Sequence, residues 1–212
     1  ENYYNSFIMK NKKNNFYLMG VVFIAILGGL LFGYDTAVIS GAEQALQKHL
    51  GLDAFWHGVT ASSALIGCVI GSAFSGYFAS GLGRRNSLRL AALLFFLSAL
   101  GSYYPEFLFF SKGDTSFALI LAFNFYRIIG GIGVGLASAV CPMYIAEIAP
   151  SEIRGKLVSC NQFAIIFGML VVYFVNYMIK DGMPDEVLVS DGWRYMFGSE
   201  AVPAALFGIL LF

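Results

Sequence analysis

Residues 16–41, FYLMGVVFIAILGGLLFGYDTAVISG, form the stretch of sequence that decides the fold of this chain. The stretch is long and apolar enough to cross a bilayer as a helix, which takes roughly 20 residues. One carboxylate, Asp35, lies inside it. Because an ionised side chain at bilayer depth costs on the order of 2.5 kcal/mol or more, Asp35 must face a polar cavity, find a partner or carry a proton.

The composition of the whole chain indicates a membrane protein. Of its 212 residues, 58% are hydrophobic and 12% are charged, whereas an average soluble domain has roughly 45–50% and about 25%. The formal net charge is zero, so nothing indicates a nucleic-acid partner. The cysteines Cys68, Cys141 and Cys160 lie in or beside apolar segments, which favours buried thiols over disulfides.

Six runs of roughly 18 or more mostly apolar residues predict an all-α transmembrane fold. They cover residues 16–41, 57–80, 87–108, 116–143, 157–179 and 193–212. Residues 1–15 precede this six-helix domain (residues 16–212), and their polar and aromatic start is assigned no fixed structure. The first run is too long to be a removable signal peptide, and no cleavage pattern follows it. Since the last run ends while still apolar, we expect further spans after it.

The distribution of Lys and Arg predicts the orientation of the six helices. With the N-terminus inside, the inner segments carry eight of these residues and the outer segments four, including Arg194. The thirteenth, Arg127, lies within a span. Because Lys and Arg accumulate on the cytoplasmic side, the count favours a cytoplasmic N-terminus. The excess is moderate, and the opposite orientation is the alternative.

Three charges are predicted to share one layer of the membrane. Counted from the outer ends of their spans, Asp35, Arg127 and Glu200 lie 8, 11 and 9 residues in, which is roughly 12, 16 and 13 Å at about 1.5 Å per residue. If their helices line one cavity, the trio carries a net charge of minus one, and a single proton decides which groups pair. A static salt bridge that locks the helices together is the alternative. For Glu200, the alternative is a side chain that extends outward or faces another helix.

Small residues recur every four positions on two of the predicted spans. These residues are Ser63, Gly67, Gly71 and Ser75 on the second span, and Gly131, Gly135 and Ala139 on the fourth. Such stripes permit close approach of helix backbones. We therefore expect each stripe to lie at a helix contact.

Two charged clusters are predicted on the cytoplasmic side. They comprise Gly83, Arg84 and Arg85 between the second and third spans, and Glu147, Glu152 and Arg154 between the fourth and fifth. Ion pairs between the two turns can hold one conformation of a helix bundle and open in another. The alternative for Arg84 and Arg85 is that they only determine topology. An acid contributes little to orientation, so Glu147 favours the gate.

Gln162 and Phe32 are the candidate sugar-binding residues. A carboxamide can donate hydrogen bonds to hydroxyl groups and accept them, and an aromatic face covers the C–H surface of a sugar ring. Hydrogen bonding between helices explains a buried amide such as Gln162 equally well. No nucleophile, metal cluster or phosphate-binding loop appears at a usable spacing, so an enzyme is the least favoured class.

Several motifs together resemble the sugar porters of the major facilitator superfamily. The motifs are GYDTAVISG (33–41), GRR (83–85), Arg127 with Gly131 and Gly135, PMYIAEIAPSEIRGK (142–156), NQFAIIFG (161–168) and DGWRYMF (191–197). The resemblance implies the N-terminal six-helix half of a twelve-helix transporter, built from two inverted three-helix repeats and working by alternating access. It also implies a multi-pass protein of the bacterial inner membrane.

The resemblance implies the function and the role of each candidate residue. It predicts a proton-coupled symporter for a monosaccharide such as D-xylose, with the proton as coupling ion, no cofactor and a functional monomer when full length. The implied proton-coupling residues are Asp35, Arg127 and Glu200, the implied sugar-binding residues are Gln162 and Phe32, and the implied intracellular gating network is Gly83, Arg84, Arg85, Glu147 and Arg154.

The chain departs from the family pattern at a few positions. Ser80 stands where an acid is usual before the GRR motif, and Gly81 stands where a basic residue is common. Met169 replaces an amide, and the loss of a polar contact changes which hydroxyl groups a sugar site satisfies. Two other functions stay open, an uncoupled sugar facilitator and a sugar sensor with a long cytoplasmic extension.

Overall fold

The helices of this chain follow the predicted spans, with differences at their ends. The computed structural model describes the backbone of residues 2–106 and 117–211, and the side chains of residues 18–106 and 117–211. The helices are α1 (Asn2–Leu50), α2 (Ala54–Gly81), α3 (Arg84–Tyr103), α4 (Phe117–Ile148), α5 (Arg154–Asp181), α6 (Asp185–Val187), α7 (Trp193–Gly198) and α8 (Ala201–Leu210), with a π-helical turn (Leu188–Gly192) before α7. Residues 107, 108, 116 and 212 of the predicted spans, and residue 1, lie outside the described residues.

Five helices of the described chain are long and apolar enough to span a membrane. They are the part of α1 from Leu18 to Leu50, and α2, α3, α4 and α5. The predicted sixth span is interrupted, because α7 ends at Gly198 and α8 begins at Ala201. Pro203 explains the interruption, since it has no N–H to donate to the carbonyl group of Ser199 four residues earlier.

Helix α1 is longer than the predicted span at both ends. Its backbone is helical from Asn2, so the segment that was assigned no fixed structure continues the helix. At the other end, residues 42–50 are mostly good helix formers, and Ala42, Leu46 and Leu50 are buried in the core. The helix ends at Leu50, and the next residue, Gly51, has a φ of +60° that suits glycine.

The packing of the helices shows two equivalent halves. Helix α1 packs mainly against α5, and α2 packs mainly against α4, while α3 contacts α4 and the sixth span contacts α1. If spans one, two and three are exchanged for spans four, five and six, the contact of α1 with α5 becomes the contact of α4 with α2. In the same way, the contact of α3 with α4 becomes the contact of the sixth span with α1. The six spans therefore form two three-helix repeats of the kind found in transporters.

Both small-residue stripes lie at a helix contact, as expected, and the structure shows that this contact joins α2 to α4. A methyl group added at Gly67 or Gly71 of α2 would overlap backbone atoms of Ile128 or Ile132, and one added at Gly131 or Gly135 of α4 would overlap the backbone of α2. The equivalent pair, α1 and α5, uses the same device, which the sequence analysis did not identify. A methyl group at Gly33 would overlap the carbonyl group of Ile165.

The apolar core of the described residues forms two clusters. One cluster includes Tyr34 and Val38 of α1, with Phe123, Trp193 and Phe197. The other comprises Leu31 of α1 and residues further toward the predicted cytoplasmic side, such as Leu88, Val134, Ala204 and Phe207. Along α4 and the sixth span, Arg127 and Glu200 lie between the residues of the two clusters, and on α1 Asp35 follows Tyr34 of the first cluster.

Candidate proton-coupling site and cytoplasmic charge cluster

Asp35 of α1 and Arg127 of α4 form a buried ion pair. Their side chains are 1% and 2% exposed, and Arg127 Nη1 donates to Asp35 Oδ1 at 2.5 Å. Arg127 Nη2 also donates to the backbone carbonyl oxygen of Asp35 at 3.3 Å. Asp35 Oδ2 and Arg127 Nε have no hydrogen-bond partner among the described residues. The structure thus joins the two residues that the calculation of depth placed in one layer.

Glu200 lies in the same buried layer, at the interruption of the sixth span. It is 1% exposed, so its side chain does not extend outward. Its carboxyl group interacts with Asp35 and with Arg127, and neither of its oxygens has a hydrogen-bond donor in the part of the chain that the structure describes. Two acids therefore share one arginine. One proton would make this desolvated group electrically neutral, and burial favours the neutral form.

Two further residues shape the surroundings of the pair. The guanidinium carbon of Arg127 lies 5.0 Å from the centre of the Phe197 ring, a cation–π contact that does not itself require a charge on Asp35. Gly130 of α4 lets Ser98 of α3 come close, because a methyl group added there would overlap Ser98 and lie 3.9 Å from Asp35 Oδ1. Neither Phe197 nor Ser98 was a candidate from the sequence, since both are ordinary residues for an apolar helix.

The candidate sugar-binding residues lie on α1 and α5, two helices that pack against each other. Gln162 is exposed on α5, one residue after Asn161, whose amide approaches Gly29 of α1. Phe32 is half-buried on α1, about one turn further along. A second amide of α5, that of Asn176, donates to the carbonyl oxygen of Val38 on α1 at 3.2 Å. Because the side chain of Gln162 is exposed, its amide can reach a ligand.

Arg84 and Glu147 form an ion pair across the predicted cytoplasmic turns. Arg84 Nη2 donates to Glu147 Oε1 at 2.6 Å, and Arg84 Nε lies 3.1 and 3.0 Å from the two carboxylate oxygens. Arg84 Nη1 also donates to the carbonyl oxygen of Ala79 at 3.0 Å. The arginine therefore joins the ends of α2, α3 and α4. Gly83 makes the sharp turn before α3 with a φ of +80°, which glycine adopts without strain.

The other members of the predicted gating network bind helix ends. Arg85 Nε donates to the carbonyl oxygen of Leu211 at 2.9 Å, after the end of α8. Arg154 Nη2 donates to the carbonyl oxygen of Ala149 at 3.3 Å, after the end of α4. In the same turn, hydrogen bonds from its own backbone N–H and from the Ser151 hydroxyl lower the pKa of Glu152. A single network of all five residues stays a prediction.

A second buried ion pair was missed by the sequence analysis. Arg194 forms two hydrogen bonds to Glu106, one of them 2.7 Å from Nη1 to Oε2, and both side chains are almost fully buried. Its guanidinium carbon lies 4.5 Å from the centre of the Trp193 ring, and Nε lies 3.6 Å from Asp191. From the sequence, Arg194 was assigned to an outer loop together with other cations. The one sequence signal for a buried position is that it follows Trp193, which the structure buries.

Comparison with known proteins agrees with this arrangement. The family model described as "Sugar (and other) transporter" matches residues 21–212. The chain belongs to the sugar transporter family. It is 52% identical over 218 residues to the D-xylose-proton symporter of Escherichia coli (strain K12), covering 96% of this chain and 44% of that protein. It is 41% identical over 194 residues to the glucose transport protein of Synechocystis sp., covering 89% of this chain and 39% of that protein.

A solved structure has the same fold as this sugar transporter chain. The proton:xylose symporter XylE of the major facilitator superfamily, bound to 6-bromo-6-deoxy-D-glucose, superposes with a TM-score of 0.88 at 51% identity, covering 93% of this chain and 45% of that chain. The chain spans less than half the length of the relatives that it matches. It corresponds to the N-terminal six-helix half of the major facilitator fold, as its motifs predicted.

Proposed function

We propose that the full-length protein is a proton-coupled monosaccharide symporter of the bacterial inner membrane, with its N-terminus in the cytoplasm. The observation that carries this proposal is the buried cluster of Asp35, Arg127 and Glu200. A permanent structural salt bridge needs one acid for one arginine, whereas a second buried acid leaves a charge that must be neutralised. A proton from outside is the simplest means of neutralising it.

The proton would act by changing the partner of Arg127. When Asp35 accepts a proton, its attraction for the guanidinium group weakens, and Glu200 is the other buried carboxylate that interacts with Arg127. The cation–π contact with Phe197 keeps the guanidinium group in the layer during this exchange. Because Asp35 and Arg127 lie on different helices, the exchange alters how α1 and α4 are held together. Sugar binding and rocking of the two halves would follow in an alternating-access cycle.

The exposed pair between Arg84 and Glu147 would serve as a cytoplasmic gate. It joins the ends of three helices, and both side chains reach water, being 35% and 44% exposed. An exposed ion pair contributes about 0–1 kcal/mol, so it can open and close without a large energetic barrier. Arg85, Arg154 and Gly83 support the same turns. The closed gate would favour a state in which the sugar site is open to the outside.

The substrate class is a monosaccharide, and D-xylose is the sugar we propose first. Gln162 and Phe32 supply an amide and an aromatic surface beside the contact of α1 and α5. The 52% identity to a D-xylose-proton symporter supports a pentose. A relative at 41% identity is a glucose transport protein, and Met169 replaces a possible polar contact. The choice between sugars therefore depends on which hydroxyl groups the complete site satisfies.

Uptake by the full-length protein in sealed vesicles tests the proposal. We expect D-xylose to accumulate when an electrical gradient is imposed. A potential of 100 mV acting on one charge is worth about 2.3 kcal/mol, or a roughly 50-fold concentration ratio. Asp35→Asn should reduce the ratio to about one while sugar exchange continues, because the coupling carboxylate is lost. A panel of other pentoses and hexoses, tested with and without the gradient, identifies the substrate.

An acid outside the layer provides the matched control for this substitution. Asp185 begins α6 and is exposed, so Asp185→Asn should accumulate sugar like the unmodified protein. Full accumulation by Asp35→Asn would contradict the assignment of Asp35 as the coupling carboxylate. Sugar equilibration without accumulation by the unmodified protein would instead indicate an uncoupled facilitator, and sugar binding without transport would indicate a sensor.

A further inference from the structure

The two acids of the charge layer each follow a residue with a hydroxyl group, and these two hydroxyl groups form a hydrogen bond. Tyr34 precedes Asp35, Ser199 precedes Glu200, and Tyr34 Oη lies 2.7 Å from Ser199 Oγ. Ser199 Oγ donates its single proton to the carbonyl oxygen of Met196 at 2.6 Å, so Tyr34 is the donor toward Ser199. The bond joins α1 to the sixth span, and Tyr34 is 3% exposed.

The backbone of the sixth span is weakly held at this point. The carbonyl group of Ser199 has no donor from Pro203, and Val202 N approaches it at 3.4 Å instead. The N–H of Glu200 bonds the carbonyl oxygen of Phe197, three residues earlier, at 3.2 Å. Such tighter turns have poorer hydrogen-bond geometry than an α-helix. Ser199 and Glu200 keep right-handed helical dihedral angles, so the turn stays helical while part of its α-helical hydrogen bonding is replaced by three-residue bonds.

A cavity lies against the same segment. Its volume is about 480 Å³, and it is formed between α3, α5 and α7, with Leu100, Tyr103 and Ile179 on its walls and Gly198 and Ser199 at the interrupted span. The cavity leaves space beside this segment, although Gly198 itself lies directly against the ring of Tyr103 on α3. The Tyr34 hydroxyl group is the polar contact that holds Ser199 toward α1.

We propose that Tyr34 and Ser199 are positioning residues for proton coupling, and that their hydrogen bond holds Glu200 beside Asp35. The inference rests on the proposed symport function and assigns the residues that set its proton dependence. The groups that face Glu200 are Asp35 and Tyr34 from α1 and Arg127 from α4. From α3, the neutral Ser98 approaches Asp35.

The separation of the two carboxyl groups determines how strongly the layer binds a proton. Repulsion between two like charges increases as their distance falls, and a shared proton removes it. When the Tyr34–Ser199 bond is lost, the interruption can move toward the cavity and carry Glu200 away from Asp35. The Glu200 carboxylate then lies further from Asp35, so the layer attracts a proton less strongly. Coupled uptake therefore requires a more acidic medium.

Single and double substitutions in the full-length protein test this inference. We expect Tyr34→Phe and Ser199→Ala each to move the midpoint of the uptake–pH profile to lower pH by roughly one unit, a tenfold change in proton concentration. The double variant should move it no further, because both substitutions remove the same bond. Sugar exchange in the absence of a gradient should stay within about twofold of the unmodified protein, since neither residue belongs to the candidate sugar site. Ser199→Thr keeps the hydroxyl group and should restore the original profile.

The controls separate positioning from a general effect on folding. Tyr77→Phe removes a hydroxyl group from an exposed tyrosine on α2. Ser138→Ala removes a hydroxyl group whose hydrogen bond among the described residues is to Gly135 of its own helix. Both should leave the pH profile unchanged. The inference is wrong if Tyr34→Phe and Ser199→Ala match these controls in a protein that accumulates sugar, or if their shifts add in the double variant. Failure of the unmodified protein to accumulate sugar would contradict the proposed function instead.

Discussion

Replacing Arg127 by methionine tests whether one cation holds the buried charge layer together. Methionine is nearly as long as arginine but carries no charge. The substitution therefore leaves Asp35 and Glu200, both 1% exposed, without their shared cation. Removing one partner of a buried ion pair typically costs about 3–5 kcal/mol. Loss of the buried cation–π contact with Phe197 adds up to about 2 kcal/mol. We therefore expect a destabilisation of about 3–7 kcal/mol at neutral pH.

The matched control is the same substitution in an exposed pair. Arg84→Met breaks the bond to Glu147, whose partners are 35% and 44% exposed, and should cost about 0–1 kcal/mol. Thermal unfolding of the full-length protein in lipid nanodiscs compares the two. A change of 1 kcal/mol shifts the Tm by roughly 2–4 °C for a domain of this size. Arg127→Met should therefore lower the Tm by at least about 6 °C, and Arg84→Met by no more than about 4 °C.

The dependence on pH distinguishes loss of charge compensation from loss of packing. The cost of Arg127→Met should shrink as the pH falls, because protonation neutralises the carboxyl groups that have lost their partner. A second substitution, Asp35→Asn, should likewise recover part of the lost Tm by removing one buried charge. Equal Tm shifts for the two arginine variants would refute the reasoning. So would a shift for Arg127→Met that neither acid pH nor Asp35→Asn reduces.

Two further predictions concern helix packing and the gate. Gly33→Ala places a methyl group against the backbone carbonyl of Ile165, and overpacking of this kind costs about 1–3 kcal/mol of stability. Thermal unfolding should therefore show a lower Tm for Gly33→Ala and an unchanged Tm for Gly20→Ala, where a methyl group meets open space. Glu147→Gln removes the charge that binds Arg84 and should increase the population open to the cytoplasm. Spin-label distances across the cytoplasmic side measure that population, and an unchanged distribution would contradict the gate.

The membrane-spanning pattern and the charge layer were predictable from the sequence for the same physical reason. Lipid excludes charge, so apolar runs mark the spans and a charge inside a run marks a functional position. A helix rises by about 1.5 Å per residue, which converts residue counts into depths in a common frame. Asp35 and Arg127 were matched in this way, and the structure pairs them. The position of the small residues of α2 and α4 at a helix contact was predictable, because a spacing of four residues places them on one face of each helix.

Contacts that depend on the rotation of one helix against another were not predictable. The pairing of Arg194 with Glu106 joins residues 88 positions apart, and both lie near span ends where charges are ordinary. The contact between α1 and α5 at Gly33 lacked a regular stripe on α5. The interruption at Ser199 was not predicted, because the apolar run was counted as one span although Pro203 lies within it.

The sequence by itself determined that six helices cross a membrane, which residues carry charge into it and roughly how deep each lies. Hydropathy and helix rise are local properties of the chain, and the bilayer supplies the reference plane. Only the tertiary structure decided that Arg127 binds Asp35, that Glu200 faces the same pair, and that Tyr34 holds Ser199 beside them. Those facts depend on the lateral arrangement and rotation of the helices, which close packing fixes and depth alone leaves open.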